Sequence, residues 1–163
     1  MTIGNTLLQE LIRETAGLRK YLERIPEDKF GWQPHPKSMT LAALAAHTAE
    51  IPEWAGLIVS SESFTIPDDY KPWLPANRDE LLAKSDEAIN AAKAAMASVS
   101  DAEIQKDWSL IACGQTAFTM PRQAVIRSMV LNHLVHHRGQ LSVYLRLLDV
   151  PLPMVYGPSA DEQ

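Results

Sequence analysis

An all-α fold, a four-helix antiparallel bundle, is what this sequence predicts, on three observations. Four long segments repeat apolar residues at three- and four-residue steps. A proline-rich stretch at 61–77 is long enough to travel along a bundle, giving a long crossover between helices 2 and 3. No row of short alternating segments is present to build a sheet. With 163 residues, the chain has the size of one domain, 1–163, able to bury roughly two thirds of its unfolded surface around one core.

Residues 5–24 carry Leu8, Leu11, Ile12, Leu18 and Leu22 at helical spacing. Ile25-Pro26 closes this first helix, because proline disfavours a helical residue before it. Glycine and two prolines make 27–38 a connector, with Phe30 and Trp32 expected to fold back as a lid on the bundle end. The second helix is expected to start at Ser38 or Thr40, with Leu44, His47, Ile51, Trp54 and Ile58 near one face. Pro52 interrupts it and predicts a kink just after His47, which either opens space beside that histidine or accommodates Trp54. In the crossover, Phe64, Tyr70 and Trp73 either cover apolar surface or wall a pocket.

Asn77, followed at the third position by Glu80, marks the start of an alanine-rich third helix, suited to close interhelical approach. Ser100 is expected to cap a short turn through Gln105. Residues 107–120 are the least helix-like, and read either as a short hairpin around Cys113-Gly114-Gln115 or as an extended loop. Pro121 suits the first turn of a final long helix that ends at Asp149. The tail beyond it is expected to pack at its apolar start and fray at its acidic end.

Net charge of −5 opposes nonspecific binding to phosphate backbones and anionic membranes. Arg19 with Lys20, and the spaced Arg122 and Arg127, read as ordinary helix surface, so neither nucleic acid nor membrane is an expected partner. Cys113, the one cysteine, excludes an intrachain disulfide and is expected to be an inert small apolar side chain. No signal-like or membrane-spanning run is evident, and the expectation is a soluble cytoplasmic protein.

The chemistry sits in LNHLVHHRGQL, 131–141. His133 and His137 are four residues apart, so a helix places them on one face, which at about 100° per residue also collects Ile126, Val130, Leu141 and Tyr144. That face points inward, as does His47 in its own apolar stripe. Three imidazoles in a core each need a donor and an acceptor satisfied, and protonating them would bury charge. A divalent ion would take one ring nitrogen from each and leave a coordination position open, with Glu50, Asn132 and Gln140 as candidate partners for the other nitrogens. A structural histidine cluster or a non-catalytic metal tie is the alternative. His136 lies on the flank of the helix, where an interfacial hydrogen bond suits it better than ligation, and His35 reads as an exposed loop residue.

The His47 helix, the long crossover, and NHLVHHRGQLSVYLR followed by DVPLPMVYG resemble the DinB/YfiT-like superfamily across nearly the whole chain. The resemblance implies up-down-down-up connectivity, a divalent metal held by His47, His133 and His137, a homodimer, and metal-dependent transfer or isomerisation using low-molecular-weight thiols. Hydrolase-like relatives are the alternative, and catalytic residues are not assigned. Imidazole ligands suit zinc or nickel first, with iron or manganese as further candidates. The leading expectation is a thiol-dependent transferase acting on a small electrophile. The competing readings are a hydrolase using activated water, and a non-catalytic metal-stabilised binding or stress-associated protein. Glu50 is the nearest acid in sequence, with solvent or a histidine as its expected partner rather than general-base work.

Overall fold

A computed structural model describes residues 2–162. Helix α1 (Ile3–Leu22) starts where the Thr2 hydroxyl accepts the Asn5 N–H at 3.2 Å, satisfying one of the donors a helix start leaves free. After a 3₁₀ turn at Glu27–Lys29, α2 (Leu41–Glu50) is capped in the same way by Thr40 on Ala43. Proline cannot donate to the helical ladder. The expected second helix is therefore two, and α3 (Glu53–Ser60) begins after a break at Ile51-Pro52. Helix α4 (Arg78–Met96) starts at Asn77, whose side chain accepts the Glu80 N–H, while the Glu80 carboxylate reaches back to the Ala76 N–H. Short α5 (Asp101–Ile104) is capped by Ser100, as the sequence predicts.

The all-α expectation needs correction. Strands β1 (Ser63–Thr65), β2 (Asp107–Ala112) and β3 (Gln115–Pro121) form a three-stranded sheet in that order, β1 parallel to β2 and β2 antiparallel to β3. Of the two readings of 107–120, the hairpin is right. Cys113 and Gly114 adopt φ of 51° and 70°, and two successive positive values reverse the chain in two residues with the twist a hairpin needs. Trp108 and Leu110 alternate into the core, and Trp108, fully buried, donates its indole N–H to Ser61 Oγ at 3.1 Å. Cys113 is exposed at the turn, not packed as a small apolar side chain.

The last helical run has three parts: α6 (Arg122–Val125), a π-helical stretch (Ile126–Asn132) and α7 (His133–Leu147). Pro121 takes the capping position ahead of the first turn. Helices α1, α2 and α4, together with α7, pack around a common apolar core, which Leu11, Leu18, Leu44, Ile51, Leu81, Ala92, Leu134 and Leu141 enter from successive elements. The molecule is thus mostly helical, with a small sheet at one side. No described helix is long and apolar enough to cross a membrane.

Two charged features also depart from expectation. Arg122 is not surface: it is 5% exposed, and bonds Glu103 and the Ser61 carbonyl, tying the last helix to the end of α3 and to α5. The acidic tail is not frayed either. Asp161 pairs with Arg146 and accepts the Leu152 N–H, and Glu162 pairs with Arg24 and accepts the Met154 N–H. Opposite charges placed across a turn hold this segment against α1 and α7.

Candidate metal centre

The two halves of the site come from α2 and α7. His47 lies one turn before the Pro52 break, and His133 and His137 are successive turns of α7, so packing α2 on α7 brings all three rings together. His133 Nε2 lies 3.2 Å from His47 Nε2 and 2.8 Å from His137 Nε2. Ring centroids are 4.5–4.9 Å apart. All three rings are half-buried.

The remaining nitrogens decide what those contacts are. His137 Nδ1 lies 2.6 Å from Gln140 Oε1, and His133 Nδ1 lies 3.3 Å from the Met129 carbonyl oxygen. Both oxygens only accept, so Nδ1–H donates in each ring, and in the neutral ring Nε2 is then a bare lone pair. The Nε2 atoms of His133 and His137 therefore face each other as two acceptors, which repel unless something electron-poor lies between them. A proton is disfavoured in that role. Burial pushes the His47 imidazole down to about 4, with the neighbouring His137 and His133 adding to the effect. Burial likewise lowers His133 and His137, although the Met129 and Gln140 oxygens oppose it.

A divalent cation fits this donor set. One ligand atom from each ring can be chosen so that all three lie within 4.8 Å of one another. The shorter separations approach the roughly 3.3 Å expected between nitrogens ~2.0–2.1 Å from a tetrahedral ion. Three nitrogens would leave at least one position for another molecule.

Of the three residues expected to orient the rings, Gln140 does so. Asn132 is exposed, and among the described residues neither it nor Glu50 hydrogen-bonds a histidine. Glu50 is half-buried, and burial raises its carboxyl pKa against the pull of Lys84. The Met129 carbonyl could not be read from side-chain types. It belongs to the π-helical stretch, whose altered turn supplies a backbone acceptor four residues before His133. His136 is exposed, its ring 4.9 Å from that of His137 and outside the converging set. His35 is exposed in its loop, where Nδ1 accepts the Lys37 N–H.

Around the site, Tyr144 packs edge-on against Trp32, with centroids 5.5 Å apart, and donates its hydroxyl to the Met39 carbonyl, so the connector does fold back on α7. Trp54 meets Phe64 of the crossover in the same geometry. Two surface hollows lie away from the histidines. One, of about 340 Å³, runs between α1 and α6; the other, of about 510 Å³, is bordered by Ser61, Glu103 and Arg122.

The family description "DinB family" matches residues 1–163. An uncharacterized protein of Bacillus subtilis strain 168, YrdA, is 26% identical over 153 residues, spanning 91% of this chain and 85% of that protein. Among solved structures, a DinB-like protein from Bacillus cereus ATCC 10987 superposes with a TM-score of 0.70 at 21% identity, covering 92% of this chain and 95% of its own. A second, the DinB-like protein YjoA of Bacillus subtilis, superposes with a TM-score of 0.71 at 14% identity, covering 93% and 99%. At these identities the two structures speak to the fold.

Proposed function

The chain belongs to the DinB family, and from that premise we propose that His47, His133 and His137 hold a divalent transition metal in an enzyme that acts on a small molecule. Zinc or nickel suits the imidazoles first, with iron or manganese next. The observation that carries the reading is the meeting of His133 and His137 through two Nε2 lone pairs, 2.8 Å apart, while both Nδ1–H groups are engaged elsewhere. The four-helix, up-down-down-up arrangement belongs to the same reading, supported by the packing of α1 and α2 against both α4 and α7.

When bound, such an ion supplies Lewis acidity, lowering the pKa of a thiol or a water brought to it. The protein's own groups have three tasks. The imidazoles stay neutral because they are partly desolvated, Gln140 and the Met129 carbonyl hold two of them in one tautomer, and the half-buried rings leave one side open to solvent. We favour a low-molecular-weight thiol as co-substrate, in transfer to a small electrophile, because no carboxylate touches the histidines to serve as base for water among the described residues. A hydrolase is the second reading, favoured by Glu50: it lies one turn beyond His47, and burial shifts its carboxyl towards the range of a general base. Cytoplasmic location and a homodimer complete the proposal.

Metal-reconstituted protein screened against small electrophiles, with and without bacillithiol, mycothiol, glutathione or coenzyme A, separates these readings. Turnover that requires one thiol is expected. Thiol-independent addition of water would install the hydrolase instead. Metal uptake with no turnover in either arm would leave a non-catalytic metal-stabilised protein.

A further inference from the structure

One residue beyond His137, α7 carries a second buried polar group, which the metal reading leaves unused. Arg138 is 4% exposed, and Glu14 on α1 is 9% exposed. The guanidinium donates to the Glu14 backbone carbonyl at 2.9 Å and pairs with its carboxylate at 2.8 Å. From the tail, the Tyr156 hydroxyl accepts from Arg138 and donates to Glu14 at 2.6 Å, and its ring stacks 5.0 Å from the guanidinium carbon. Gly17 makes the room: a Cβ there would stand 2.8 Å from Arg138 Nη1 and 2.9 Å from Val155.

We propose that Arg138 is a positioning residue: clamped to Glu14 and Tyr156 through the gap at Gly17, it fixes the rotation of α7 about its axis and so aims His133 and His137 at His47. The inference rests on the metal reading of the three histidines. Successive residues on a helix diverge by about 100°, so Arg138 faces α1 while His137 faces α2, and α7 is pinned from two sides. The lever is short. Side-chain tips lie roughly 5–6 Å from a helix axis, so a rotation of about 10° displaces an imidazole nitrogen by about 1 Å. Metal–ligand distances tolerate only about 0.2 Å. Packing of Leu134, Leu141 and Leu145 resists translation of α7, but apolar contacts are non-directional and set its rotation weakly. The buried, directional guanidinium bonds supply what that packing lacks.

Co²⁺ titration followed by visible absorption, alongside thermal unfolding of the metal-free protein, tests this on the full chain. Wild type is expected to take one Co²⁺ per chain. Arg138→Met should bind about tenfold or more weakly, with a shifted absorption band reporting altered ligand geometry. Gly17→Ala, which displaces the guanidinium without removing it, should move affinity and band in the same direction, and Tyr156→Phe should do so less. Met96→Ala, a core variant on α4, should lower the melting temperature and leave affinity and band as in wild type. Co²⁺ affinity and spectrum unchanged in Arg138→Met and Gly17→Ala would overturn the positioning role alone. Absence of Co²⁺ uptake by wild type would overturn the metal reading and this inference together. Should Arg138→Met not fold, Gly17→Ala and Tyr156→Phe decide by the same criteria.

Discussion

Two polar clusters flank α7 one residue apart, and they are opposites. In the Arg138–Glu14–Tyr156 cluster the guanidinium and the tyrosine hydroxyl donate to acceptors placed to receive them, and the charges of Arg138 and Glu14 cancel inside the protein. In the His47–His133–His137 cluster the outward nitrogens of two rings are satisfied, and the inward ones point at each other. A completed polar network needs nothing further and acts as structure. An incomplete one, held in place by its surroundings, favours something electron-poor between its lone pairs, and the difference lies in hydrogen-bond direction, not in polarity or burial.

The contrast predicts opposite responses to substitution. Glu14→Ala leaves the guanidinium buried without its counter-charge and is expected to destabilise even the metal-free protein by about 3–5 kcal/mol in urea unfolding. His133→Ala removes the ring that touches both others, and should cost the metal-free protein little. It should abolish the stabilisation that metal confers, about 2.7 kcal/mol at a hundredfold excess over the wild-type Kd, measured as the metal-dependent shift in the same unfolding curve. Equal losses from both variants in the metal-free state would erase the distinction. A smaller effect follows from Gln140→Leu, which frees the His137 Nδ1–H and should weaken metal binding about tenfold in calorimetric titration, with little change in metal-free stability.

Acidification is the mildest probe. Burial, reinforced by the neighbouring imidazoles, holds His47 at about 4 in the fold, against about 6.5 in an unfolded chain. Between those values the unfolded chain binds the extra proton, so the contribution of His47 is complete above pH 6.5 and declines as pH falls towards 4. Stability measured across that window should fall by a modest amount, because the ring is only half-buried. The decline should shrink in His47→Gln, which cannot take up that proton. Bound metal should be released over the same range, since a protonated imidazole cannot ligate.

The histidines were legible because helical periodicity acts on side-chain positions: His133 and His137 share a face by spacing alone, and His47 sits in an apolar stripe. Helix starts at Thr40, Asn77 and Ser100 were legible for a related reason, since a cap is made by one short polar side chain acting locally. What escaped depends on partners distant in sequence. Three-residue β1 has too little pattern to be seen until β2 pairs with it from 46 positions on, as in Ser63 with Ser109. Arg122 looks like surface charge until Glu103 meets it, and nothing near Arg138 in sequence points to Glu14. The tail looks like a free acidic end because Arg24, far away on α1's side, cannot be matched to Glu162 by inspection. The Met129 carbonyl was invisible because every residue has one.

The π-helical stretch Ile126–Asn132 has a consequence for how this chain can change length. Upstream of it the helix is locked by Arg122, and downstream by Arg138 and the histidines, so the wider turns absorb a mismatch between two fixed phases. Losing a single residue there would restore ordinary helical winding with both anchored ends still in phase, whereas the same loss from the regular turns on either side would swing one anchored end by about 100°. A one-residue deletion in this stretch is thus a milder injury than the same deletion in α7, and the segment behaves as a slip joint more than a spacer.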